Sequence, residues 1–166
     1  LGTAQDAGVS QTSLDDFEED TRTIAESPPP TTKRRNQRVR LIVDSRELST
    51  AVARELARLD VDISGETLQI GDYVASEEVA IERKEAGDFI QSLIDGRLFS
   101  QLSALRAAYR RPVLIIEGEQ ITGLRAVNPA AVFGALASIA IRIQVPILWT
   151  RNAEETAQML YRIAVI

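Results

Sequence analysis

The sequence predicts a three-layer α/β domain over residues 39–166, with a central mixed sheet flanked by helices. Short β-branched runs at Val39-Arg40-Leu41-Ile42-Val43-Asp44 and Val113-Leu114-Ile115-Ile116 read as buried strands. Helical patterns alternate with such runs, the order that builds a largely parallel sheet covered on both faces. A hairpin is expected where Ser76-Glu77-Glu78 separates two apolar segments.

Taken in order, the first strand covers 39–44. Ser49 is placed to cap a helix over about 50–59, with Val52, Leu56 and Leu59 along one face. Strands follow at 63–70, 73–75 and 79–84. Residues 86–95 and 98–110 form two helices, interrupted at Asp95-Gly96, and Pro112 precedes a buried strand at 113–118. Pro129 opens a helix reaching about 143, because proline suits the first helical position. A short strand at 146–149 and a helix over 153–163 complete the domain, and the sequence contains no internal repeat.

Composition narrows the chemistry. The 166 residues include no histidine and no cysteine, which excludes a Ser-His-Asp triad, a cysteine nucleophile, the usual zinc ligand sets and any disulfide framework. A metal ion would have to sit on oxygen, and that favours Mg²⁺ or Mn²⁺. A net charge of −5 argues against a protein that coats nucleic acid with a uniformly basic surface, although arginines gathered on one face remain compatible with DNA binding. No apolar stretch approaches a membrane span, and the start, Leu1-Gly2-Thr3-Ala4-Gln5-Asp6, resembles no signal peptide. The expectation is a soluble, intracellular chain in the cytoplasm.

Residues 1–38 read as a disordered linker. Polar residues dominate, Pro28-Pro29-Pro30 blocks helix and central strand, and Lys33-Arg34-Arg35 adds a basic cluster. Within it Gln11, Leu14 and Phe17 have the spacing Q-x-x-L-x-x-F, which resembles the peptide by which replication proteins attach to a sliding clamp. A short turn would present Leu14 and Phe17 together as anchors. Glu18 stands where a second aromatic is usual, and an amphipathic fragment of a linker is the alternative.

The chemistry-bearing motif is Val79-Ala80-Ile81-Glu82-Arg83-Lys84, just after Gly71-Asp72-Tyr73. Lysine occurs only at 33 and 84. On a strand, Glu82 and Lys84 share a face while Arg83 points away from it. Asp72 lies at the open end of the hairpin, so it and Glu82 can converge on one hard cation, and Asp44 ends the first strand where functional groups gather in α/β sheets. Repulsion among carboxylates is a reason to expect a metal. Lys84 would orient water or stabilise charge on a phosphoryl group. An isolated E-R-K triplet would equally describe a solvated strand edge.

The run Val43-Asp44-Ser45-Arg46-Glu47, then Gly71-Asp72-Tyr73, then Glu82-Arg83-Lys84 with Asp88 four residues on, then Gly96-Arg97-Leu98, resembles the XPF/Hef family of structure-specific endonucleases. That resemblance implies a restriction-endonuclease-like fold and a Mg²⁺- or Mn²⁺-dependent enzyme cleaving branched DNA such as forks and flaps. It implies a metal cluster of Asp44, Asp72 and Glu82, with Lys84 catalytic, Arg46 and Arg83 essential, and Glu47 and Asp88 at further motif positions. Asp88 could instead cap a helix or pair with Arg83. Arg97 looks like a DNA contact or a helix-start residue. Arg106, Arg110 and Arg111 either track phosphates or cover an exposed helix face. Glu117 either joins the acidic site or supports the turn at Gly118. The apolar helix after Pro129, with Val132, Phe133, Leu136, Ile139, Ile141 and Ile143, resembles the family's homodimer contact, a core helix being the alternative. Neither the helicase nor the helix-hairpin-helix modules of archaeal-type members appear in the sequence. The expectation is therefore a nuclease domain with part of its upstream linker, or a member lacking its DNA-binding module. A noncatalytic dimerisation and clamp-tethering platform is the competing function.

Overall fold

The computed structural model describes residues 38–124 and 126–166. The segment carrying Gln11, Leu14 and Phe17 lies outside the described residues. Chain order gives β1 (Val39–Asp44), α1 (Ala51–Leu56), β2 (Val61–Glu66), β3 (Tyr73–Val74), β4 (Val79–Glu85), α2 (Ala86–Ile94) and α3 (Leu98–Ala108). Then come β5 (Arg111–Glu117), α4 (Pro129–Ser138), a π-helical turn at Ile139–Ile143, β6 (Ile147–Thr150) and α5 (Ala153–Val165).

The strands form one sheet in the order β2-β1-β3-β4-β5-β6. Only β3 runs against its neighbours; β1 with β2, β4 with β5 and β5 with β6 are parallel pairs. The carboxyl ends of five strands therefore lie along one edge of the sheet. Leu41, Val43, Tyr73, Ile81 and Ile115 pack on that sheet's back face against Val52 and Leu56 of α1 and Ala157 and Leu160 of α5. Ala80, Leu114 and Ile116 face the opposite way, onto Phe89, Ile90, Leu98, Leu102 and Leu105 of α2 and α3. These two cores make the expected three layers.

Boundaries differ from the sequence expectation where a local bond or turn intervenes. Thr50, not Ser49, caps α1, its hydroxyl accepting from the Ala53 N–H at 3.4 Å. The helix ends at Leu56, and the N–H groups of Arg58 and Leu59 turn back onto the carbonyls of Glu55 and Leu56. β2 starts at Val61 and stops at Glu66, two residues earlier and four residues shorter at its far end than the pattern suggested. β5 takes in Arg111 and Pro112; proline is tolerated there because the strand is just beginning. Asn128 caps α4 with Pro129 at its first position, as expected, but the helix loosens into the π-helical turn before Gln144 closes it in a left-handed conformation, φ 61°.

Among the described residues no helix is long and apolar enough to cross a membrane.

Candidate active site

Strand register places the predicted acids side by side. Val43 pairs with Tyr73, and Tyr73 pairs with Ile81. All three belong to the back-face core, so alternation puts their neighbours Asp44, Asp72 and Glu82 together on the front. Main-chain bonds tie this row: the Asp44 N–H donates to the Asp72 carbonyl at 2.8 Å, and the Asp72 N–H to the Ile81 carbonyl at 2.9 Å. Gly71 makes the entry possible with φ +83°, and a Cβ there would come within 3.2 Å of Leu105. Glu66 extends the row as the register partner of Asp44. Sequence reasoning missed it, because a strand read as 63–70 carries no register.

Asp44 and Asp72 are held in opposite electrostatic states. Asp44 is fully buried. Its Oδ1 accepts from the Arg46 Nε at 2.7 Å and the Arg46 main-chain N–H at 2.9 Å, while Oδ2 accepts from the Leu68 N–H at 2.8 Å. The Arg46 side-chain bond outweighs burial, and with these main-chain donors it lowers the Asp44 pKa to about 2. Asp72 is pushed up to about 7, first by burial and then by the Glu82 carboxylate; the Arg83 main-chain N–H, donating at 2.8 Å, opposes the rise. Lys84 reaches the same face, with its Nζ 3.0 Å from the Glu82 Oε1 and its side chain 10% exposed.

Among the described residues, no three acids already have the spacing of a formed metal site. Asp44 directs both oxygens to Arg46 and Leu68, whereas Asp72 and Glu82 repel each other and Lys84 bonds only Glu82 of the two. That pair has the oxygen-donor chemistry that suits a hard dication, and when both are ionised it carries more charge than Lys84 alone offsets. The Arg46 side chain is 74% exposed, so water can solvate the guanidinium when it leaves, but the fully buried Asp44 carboxylate then needs another cation in its place.

Arg83 occupies the back face, as alternation requires. Its guanidinium lies 2.7 and 3.0 Å from the two Glu117 oxygens, 3.1 Å from Glu85 and 3.7 Å from Glu47. Burial disfavours its charge, but the Glu117 bonds more than offset this and raise its pKa. Glu47 accepts from the Tyr73 hydroxyl at 2.8 Å. Tyr73 is itself raised well above its ordinary range, by burial first and by Glu47 next. Glu117 thus lies behind the sheet, away from the acidic row, and its partners are Arg83 and Thr156.

The remaining predicted residues are dispersed. Asp88 is exposed in the first turn of α2 and is not among Arg83's ion-pair partners. Arg97 begins α3 and pairs with Asp95 at 3.1 Å. Arg110 and Arg111 both pair with Glu78, at 3.3 and 3.5 Å, beside the start of β4 and five or more residues from Lys84 along the strand direction. Arg106 lines a separate groove of about 580 Å³ with Phe99, Ser103 and Arg142. The helix after Pro129 divides: Val132 and Ile139 are buried, whereas Phe133 is 60% and Ile141 75% exposed.

A mixed three-layer sheet with a carboxylate row and a lysine at its centre defines a restriction-endonuclease-like fold. The ERCC4 domain family matches residues 43–163, and the chain belongs to that family. It is 34% identical over 128 residues to the 3′-flap repair endonuclease Xpf of Saccharolobus solfataricus, covering 76% of this chain and 54% of that protein. A Methanocaldococcus jannaschii protein named for an ATP-dependent RNA helicase is 44% identical over 126 residues, which is 76% of this chain and 15% of the relative. Among solved structures, XPF from Aeropyrum pernix in complex with DNA superposes with a TM-score of 0.74 at 31% identity, covering 77% of this chain and 64% of that one. This chain therefore spans between about a seventh and about half of these two relatives' lengths.

The raised Asp72 pKa fixes the sign of a pH effect. Between its ordinary value and about 7 the folded protein holds a proton that the unfolded chain releases, so this group's contribution to stability falls as pH rises through that window. In chelator, Asp72→Asn is expected to remove that loss and to melt about 5 °C or more above the native chain at pH 8, with little difference at pH 4. Melting curves at the two pH values check this; equal curves at pH 8 would contradict the assigned charge state.

Proposed function

We propose that this domain is the catalytic part of a structure-specific DNA endonuclease that uses Mg²⁺ or Mn²⁺ to cleave branched DNA such as forks and flaps. The observation that carries the reading is the Asp44-Asp72-Glu82 row with Lys84 two residues beyond it. Its support comes from relatives named as a 3′-flap repair endonuclease and a DNA-bound XPF. The protein would work inside the cell, on DNA.

Asp72 and Glu82 would hold the ion directly, and Asp44 would join once Arg46 turned outward. A bound dication would polarise a phosphoryl oxygen and lower the pKa of an attacking water. The chain's own groups do the rest. Asp72 must be deprotonated to hold the ion, so its elevated pKa opposes metal uptake below neutrality. Lys84, fixed by Glu82, presents N–H donors where negative charge grows on the phosphate. Arg46, bound to Asp44 yet largely exposed, can exchange that carboxylate for a phosphate oxygen. Asp88 and Arg97 would act at the periphery, and Arg106 and Arg110 would contact DNA only along a path leading away from the row.

Asp72→Ala and Lys84→Ala are each expected to reduce cleavage of a labelled fork in Mn²⁺ by roughly a hundredfold or more. Lys84→Arg should fail to restore it, because a planar guanidinium replaces a compact ammonium. Unchanged cleavage in these variants, or none by the native chain, would defeat the enzymatic reading and leave the noncatalytic platform.

Exposed Phe133 and Ile141 support a homodimer formed through the helix after Pro129. Sedimentation should show a dimer at micromolar concentration and a monomer after Phe133→Glu with Ile141→Glu; a monomeric native chain would exclude the contact.

The sliding-clamp contact at Gln11, Leu14 and Phe17 rests on sequence spacing. A peptide of residues 8–20 should bind the cognate clamp, and Leu14→Ala with Phe17→Ala should abolish binding. A peptide that does not bind removes the proposal.

A further inference from the structure

The acidic row leaves a second charged cluster unused. Beneath the same strand ends, on the back of the sheet, Glu117 is held by side chains from two elements, each of which has a further partner. Arg83 of β4 donates to it at 2.7 and 3.0 Å, and the Thr156 hydroxyl of α5 donates at 2.5 Å. Thr150 of β6 lies 2.7 Å from Thr156, with both threonines at least 98% buried. Arg83 also reaches Glu47, in the loop after β1. The side chains of Arg83 and Glu117 are only 8% and 11% exposed.

A buried ion pair of this kind is weak evidence for stability, because desolvation consumes much of its attraction. Its defined effect is on arrangement. Arg83 sits between Glu82 and Lys84, and its main-chain N–H binds Asp72 at 2.8 Å. Any twist of β4 that releases the guanidinium from Glu117 therefore turns both front-face side chains and moves the donor that holds Asp72. Through Arg83 and Glu47 the same anchor reaches the loop carrying Arg46.

We infer that Glu117 is a positioning residue for the acidic row, acting from behind the sheet through Arg83, with Thr156 orienting its carboxylate and Thr150 bonded in turn to Thr156. What the row does rests on the endonuclease reading above; that Glu117 sets its geometry does not. Neighbours that hold metal-binding groups in place commonly change metal affinity or activity by about 10–100-fold when replaced.

The test uses the full chain with Glu117→Gln, which keeps shape but removes charge, and Thr156→Val, which removes only the hydroxyl donor. Glu55→Gln, in an exposed pair with Arg58, is the control. Mn²⁺ alone is titrated by thermal shift, and fork cleavage is followed well below each variant's melting temperature. Glu117→Gln should weaken Mn²⁺ binding and lower kcat by about tenfold each, with KM within about twofold of native; Thr156→Val should move both about threefold in the same direction. The control should match the native chain. A lower melting temperature with native Mn²⁺ affinity and native kcat would overturn the inference, reducing Glu117 to a structural part. Should Glu117→Gln fail to fold, Thr156→Val decides by the same criteria. If the native chain cuts no fork while Mn²⁺ affinity still depends on Glu117, the endonuclease reading fails and the positioning role stands.

Discussion

Tyr73 is the point on which the site's geometry turns. It is the central residue of the β1-β3-β4 pairing, opposite Val43 on one side and Ile81 on the other, and it is fully buried. Its ring commits one face of three strands to the back core, and this leaves Asp44, Asp72 and Glu82 no choice but the front. A slip of one residue in either pairing would send an acid into the apolar layer against α1 and α5. The hydroxyl adds a second constraint, because it must find a partner when buried and does so at Glu47. One side chain thus fixes the register and the loop that presents Arg46.

The two faces of β4 illustrate how a charged tripeptide divides its labour. Glu82 and Lys84 lie with the acids, where Asp72 stays partly protonated near neutrality because burial and Glu82 disfavour its charge. Arg83 is sealed behind them among Glu117, Glu47 and Glu85. Three carboxylates surround one cation at the back, while at the front Lys84 pairs with Glu82 and Arg46 with Asp44. At the front Asp72 loses its proton only as pH passes about 7, and the negative charge it then adds is what a divalent ion would neutralise. This asymmetry also separates roles that the family resemblance had grouped together. Arg83 lies in the same motif as Lys84 but cannot reach the front face without unwinding the strand.

Much of the fold was legible because its signals were local. Val39–Asp44 and Val113–Ile116 are β-branched runs with nowhere to lie except between two layers, and Pro129 announced its helix by its own geometry. Errors fell where a single contact outcompetes propensity. The first helix stops at Leu56 because the chain turns back on itself, and β2 ends at Glu66 as the chain leaves the sheet toward Leu68, whose N–H binds Asp44. The apolar run after Pro129 was ambiguous because periodicity gives a face but not what covers it. The structure buries Val132 and Ile139 and leaves Phe133 and Ile141 outside.

By itself the sequence determined the chemistry available: oxygen ligands only, one lysine in the folded part, and an acid, an arginine and that lysine alternating on a strand. Those are properties of residue type and of spacing along the chain, which need no partner to be read. Tertiary structure alone decided that Asp44 is taken up by Arg46, that Glu66 extends the row, and that Glu117 belongs to Arg83 behind the sheet. Each of these depends on strand register and on which layer a face meets, and residues 34 apart in sequence, such as Arg83 and Glu117, acquire a relation only when β4 and β5 are laid side by side.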